Sequence, residues 1–118
     1  MKGMLKMPIA FVYSKNVKKI SGLQGEQLLK DWSEGGEVPK EYCTINFIEN
    51  ELQVGNQYQI MARIFLPNLW DEQAVKLIQK SLIQAINKNL NVTQENVFIM
   101  ISLIHSGHLT DRGVVEEW

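Results

Sequence analysis

The spacing of apolar positions changes twice along the chain, in the same order each time. Pro8 to Ser14 is a short apolar and aromatic run that predicts a strand. Ser21 to Ser33 carries Leu28, Leu29 and Trp32 at helical spacing, and Tyr42 to Ile48 returns to β-branched alternation. Tyr58 to Leu66 then predicts a strand, Pro67-Asn68 a break, and Val75, Ile78, Leu82, Ala85 and Ile86 one stripe of an amphipathic helix before a strand from Asn96 to Ile104. Ser21 and Gln24 read as a capping pair at the first helix start. Asp71 and Glu72 near the start of the second helix and Lys88 near its end suit the macrodipole.

The order is a repeat. Val38 to Phe47 placed over Val92 to Ile101 gives an offset of 92 − 38 = 54 residues, and the same offset carries Phe11 onto Phe65 and Leu28 onto Leu82. Two β-α-β units of similar length result, 8–54 and 58–104, within one domain spanning 1–118. Parallel strands need right-handed crossovers, so both helices fall on one face of a four-stranded sheet, an α/β fold. In the last strand Val97, Ile99, Ile101 and Leu103 form one side and Phe98, Met100 and Ile104 the other, so both faces are apolar. With helices on only one face, a second subunit is expected to cover the other. Residues 105–118 carry the turn Asp111-Arg112-Gly113 and predict a C-terminal hairpin, which could cover a sheet edge of its own chain or of a neighbour.

Composition narrows the partners. The chain has 118 residues, 45% hydrophobic and 21% charged, and a net charge of −1, so neither nucleic acid nor a membrane is expected. Its single cysteine, Cys43, allows no internal disulfide, and the reading is cytoplasmic.

Two tandem β-α-β units, an opening Met7-Pro8-Ile9, the turn Pro39-Lys40-Glu41-Tyr42 and its counterpart Thr93-Gln94-Glu95-Asn96-Val97-Phe98-Ile99 together resemble the tautomerase superfamily. The resemblance covers nearly everything from Pro8 onward. It implies a homotrimer without cofactor or metal, in which a terminal proline amine acts as the base in keto–enol proton transfer on a small 2-oxo acid. The chemistry needs a free imino nitrogen: an α-amino group has a reference pKa of about 7.7–8.0, and an apolar pocket lowers it toward neutrality. Here Pro8 follows seven residues, and an internal proline nitrogen is an amide without basicity. Residues 1–7 are therefore read as an extension, with initiation at Met7 and its removal exposing Pro8. The Lys2-Gly3 codons can supply the ribosome-binding sequence such a start requires. The alternative is a catalytically inactive trimeric binding module.

Other roles implied by the resemblance fall on Lys40, as carboxylate anchor, Tyr42, as a pocket wall, and Phe98, as a wall supplied by the adjacent subunit. The family lysine's own place falls on Val38, so the charge is displaced along the turn, and Phe98 and Met100 stand where a member has a tyrosine and an asparagine. Arg63 is a second anchor, set opposite to Ala62 and Ile64 on its strand, although an ion pair with Glu49 or Glu51 would serve equally well. His105, His108 and Asp111 are spaced by three, which in extended structure turns them to opposite sides and argues against a metal. Cys43 sides with Ile45 and Phe47 toward the core as a packing residue.

Overall fold

The computed structural model describes residues 7–118. Four strands, β1 (Ile9–Ser14), β2 (Thr44–Glu49), β3 (Ile60–Pro67) and β4 (Val97–Ile104), form one sheet in the order β2-β1-β3-β4. Helix α1 (Gly22–Gly35) joins β1 to its parallel neighbour β2, and α2 (Glu72–Leu90) joins β3 to β4 in the same way. The two units meet at the centre, where β1 and β3 run antiparallel with Ile9 opposite Phe65 and Ser14 opposite Ile60. A separate hairpin, β5 (Leu109–Asp111) and β6 (Val114–Glu116), closes the fold. Its turn places Arg112 at φ 50° and Gly113 at φ 86°, the pair of positive angles that a tight two-residue hairpin requires.

The expected Ser21 and Gln24 capping box forms, each side chain bonding the other residue's backbone N–H at 3.0 Å. At the second helix Asp71 Oδ1 accepts from the Ala74 N–H at 2.8 Å. Both second strands begin later than their sequence predicts. Pro39 enters a 3-10 turn at Lys40–Tyr42, closed by the Tyr42 and Cys43 N–H groups donating to the carbonyls of Pro39 and Lys40, and Gln94–Asn96 turns likewise before β4. Tyr42 and Asn96 thus leave the strands in which alternation put them, because the backbone bonds locally before pairing begins.

Pleating divides the sheet into two faces. Ala10 and Val12 of β1 and Ile60, Ala62, Ile64 and Leu66 of β3 are buried beneath Leu28 and Trp32 of α1 and Ile78, Leu82, Ala85 and Ile86 of α2. The helices are locked by two buried bonds: the Trp32 indole donates to the Ile78 carbonyl at 3.0 Å, and Ser81 Oγ donates to the Trp32 carbonyl at 2.7 Å. A Cβ at Gly36 would overlap the end of the Ile78 side chain and lie 3.1 Å from the Trp32 carbonyl oxygen, so a larger residue there obliges Ile78 to shift. The other face carries Ile9, Phe11, Tyr13, Met61, Phe65, Phe98 and Met100 with Arg63 among them, and no helix lies over it. Tyr13 is 37% and Met100 42% exposed, the pattern expected of an apolar face awaiting a cover.

Candidate functional site

Pro8 lies immediately before β1, its ring fully buried, and its carbonyl accepts from the Thr44 N–H at 3.2 Å. That bond ties the start of β1 to the start of β2, and the Lys40–Tyr42 turn precedes this point by two residues. Pro8, Lys40 and Tyr42 therefore gather at one end of the sheet, with Lys40 exposed and Tyr42 half-buried against the core. In the 118-residue chain the Pro8 nitrogen is bonded to Met7, which is itself half-buried. The expected extension over residues 1–7 lies, apart from Met7, outside the described residues.

The remaining predicted residues are elsewhere. Arg63 projects from the uncovered face opposite Phe11 and Met100, with its guanidinium carbon 6.0 Å from the centre of the Phe65 ring. Among the described residues it makes no ion pair, and the proposed partner Glu49 cannot supply one, since Glu49 pairs with buried Ser14 and shares its helix-side face. Phe98 is opposite Met61, which is opposite Tyr13, five positions from Pro8 (13 − 8 = 5). At 3.3 Å per residue that separation is about 17 Å. One chain thus holds two parts of the predicted site at opposite ends of its sheet, and Phe98 meets a Pro8 only if that proline comes from another copy.

The sequence reading missed Asn68, taking it only as part of a break. It caps the Pro8 end of the sheet, three residues beyond Phe65, the partner of Ile9, and its N–H donates to the Ile104 carbonyl at 2.9 Å. The Trp118 indole donates to Asn68 Oδ1 at 2.7 Å, and because an indole only donates, this contact orients the amide and turns Nδ2 toward His105 Nδ1 at 3.2 Å. With the Trp118 N–H donating to Ser106 Oγ at 2.7 Å, the C-terminal hairpin is tethered beside the candidate site. An exposed Asn after a proline carries no periodic signal that would have revealed this.

Two expectations about side chains need correction or completion. His105 and His108 do not face apart: the segment turns, with the His108 N–H donating to the His105 carbonyl, and their rings pack edge to face 5.7 Å apart. Among the described residues no group of three His, Cys, Asp or Glu side chains could hold a metal. Cys43 is buried as expected, and that burial, with the charge of Glu41 adding to it, pushes its thiol up to about 11. It is therefore a protonated packing residue at neutral pH.

No protein-family model matches the chain, and no curated protein matches it in sequence. Solved structures do match. A fused 4-OT (oxalocrotonate tautomerase) wild-type asymmetric trimer superposes with a TM-score of 0.75 at 16% identity, over 89% of this chain and 93% of that one. The macrophage migration inhibitory factor from Oncomelania hupensis gives 0.73 at 15% identity, over 93% and 82%. Pt0534, in a structure inactivated by 2-oxo-3-pentynoate, gives 0.71 at 12% identity, over 92% and 94%. Two β-α-β units joined through an antiparallel centre, with both helices on one face and a closing hairpin, are thus the fold of the tautomerase superfamily, and this chain has it.

Proposed function

We propose that the protein, in a form beginning at Pro8, catalyses keto–enol tautomerisation of a small 2-oxo acid, with the Pro8 amine as general base. The observation that carries this reading is the placement of Pro8 in a chain of this fold: fully buried at the start of β1, pinned by Thr44 and adjoining the Lys40–Tyr42 turn. A secondary amine there is desolvated, which disfavours its ammonium form and leaves the lone pair available near neutral pH. It removes a proton from the carbon beside the carbonyl, the enolate charge collects on oxygen, and the proton returns at the other end of the enol system. Lys40 anchors the carboxylate, Tyr42 forms a wall, and Phe98 and Arg63 contribute across a subunit boundary of a homotrimer. The trimeric state named for the fused 4-OT, and the inactivation of Pt0534 by a 2-oxo acid, are in keeping with this. No described helix is long and apolar enough to cross a membrane, and a lone buried thiol suits a reducing cytoplasm.

The Met7–Pro8 peptide bond favours a second reading for the 118-residue form, a binding module that keeps the scaffold without a base. Ketonisation of enol phenylpyruvate separates the two. A chain starting at Pro8 is expected to exceed both the 118-residue chain and its own Pro8→Ala variant by about 10²-fold or more, the usual contribution of a positioned base. Its rate should rise with pH and level off as the amine loses its proton. Equal rates for all three would leave the binding module.

A further inference from the structure

The reaction proposed above gathers charge on one oxygen, and a site that stabilises such charge needs a fixed donor aimed at it. Lys40 and Arg63 are taken up by the carboxylate, and Phe98 has no polar side-chain atom to offer. Arg63 also stands apart from Phe98: its guanidinium carbon is 6.0 Å from the centre of the Phe65 ring, whereas Phe98 adjoins Met61, on the other side of Arg63 along β3. One hydroxyl does accompany Phe98. Tyr58, just before β3, is half-buried and packs its ring on that of Phe98, with centroids 5.2 Å apart and planes tilted by 52°. It is held at backbone and side chain alike. Gln53 Oε1 accepts from the Tyr58 N–H at 2.5 Å, Gln53 Nε2 donates to the Tyr58 carbonyl at 3.2 Å, and Asn56 Nδ2 donates to Tyr58 Oη at 3.0 Å. Gln57 Nε2 fixes the same loop by donating to the carbonyls of Gln53 at 2.7 Å and Gly55 at 3.1 Å. Because the phenol oxygen accepts from Asn56, its own O–H is left to donate, and accepting one bond polarises it toward making the other.

We infer that the Tyr58 hydroxyl of one copy donates a hydrogen bond to the enolate oxygen of the substrate held at Pro8 of another. The pairing between copies follows from the separation of the two ends: Tyr58 accompanies Phe98, and Phe98 stands at the end of the sheet opposite to the Pro8 of its own chain. The proton stays on Tyr58 Oη throughout, the bond tightening as charge grows on the substrate oxygen and easing as the keto form is reached. The assignment rests on the tautomerase reading and adds to it the group that holds the developing charge.

Ketonisation of enol phenylpyruvate by chains starting at Pro8 tests it. Tyr58→Phe keeps the ring on Phe98 and removes only the hydroxyl, so kcat is expected to fall about 10²-fold, the effect of one donor lost from a developing oxyanion, while KM changes little. Tyr13, which shares the row of Phe98 but lies beyond Met61, is the control, and Tyr13→Phe is expected to keep the parent kcat. Co-expression of Tyr58→Phe with Pro8→Ala chains should return about a quarter of the parent rate, the share of sites that draw an intact proline from one chain and an intact hydroxyl from the other. Tyr58→Phe with the parent kcat would overturn the assignment while leaving Pro8 as the base. So would a loss confined to KM, a loss found in Tyr13→Phe instead, or mixed chains no faster than the two variants apart. A parent no faster than Pro8→Ala would overturn both the base and the donor.

Discussion

Cys43 is 8% exposed, and its Sγ lies 3.6 Å from the Pro39 carbonyl inside the turn that leads into β2. The folded thiol holds its proton to about pH 11, against 9.0 for an unperturbed one. Its contribution to stability is therefore complete below about pH 9 and is lost as pH rises from there through about 11. Reaction with a disulfide reagent at pH 8 should be slow and limited by opening of the fold. Rapid labelling of native protein would contradict the buried placement. The alternation of Cys43, Ile45 and Phe47 made this residue legible in advance, because one face of a strand is a simple period of two. His105 and His108 were not legible, since their meeting depends on a turn whose Gly107 has φ 84°, and spacing alone does not report backbone handedness.

Besides their buried bonds, the helices are joined by polar contacts that lie outside the apolar stripes. Asp31 of α1 accepts from Asn89 Nδ2 of α2 at 2.9 Å and lies 3.5 Å from Lys88 Nζ. The Asn89 hydrogen bond, aided by Gln27 and Lys88 and opposed by burial, holds the Asp31 carboxyl below its usual 3.8. A carboxyl lowered in the folded state stabilises above its unfolded value and loses that contribution as pH falls through the folded one. Asn89→Ala should raise the Asp31 titration, followed by NMR, and lower the melting temperature at pH 7, with the difference shrinking below pH 3.8. An unchanged Asp31 titration would show that Asn89 does not hold it. The helix stripes and caps were readable because each follows from local spacing. The clamp joins residues 58 apart in sequence and leaves no periodic trace. Strand starts at Thr44 and Val97 were misjudged for a related reason: local 3-10 bonding competes with pairing, and alternation registers only the second.

At the scale of the whole molecule the uncovered sheet face is the feature that asks for a partner. Arg63 stands amid Phe11, Phe65 and Met100, where a single cation can be tolerated by reaching water or a neighbour's acceptor. Met100→Arg would set a second guanidinium directly opposite Arg63, so assembly should weaken by sedimentation while the melting temperature of the isolated chain changes little, Met100 being 42% exposed. Undiminished assembly would mean that this face stays open in the oligomer. The need for a cover was visible in the two apolar sides of β4, and the resemblance assigned Phe98 to an adjacent subunit, but the strand geometry behind that assignment was not visible. That Pro8 and Phe98 occupy opposite ends follows from β1 and β3 running antiparallel, a fact of topology that no short motif carries. The same seam has a consequence for the ancestry of such chains. Because each β-α-β unit presents a central strand that must be matched by one running the opposite way, a free-standing half could satisfy that edge only with a duplicate of itself, and tandem fusion makes the match intramolecular, freeing the two copies to diverge into unequal roles.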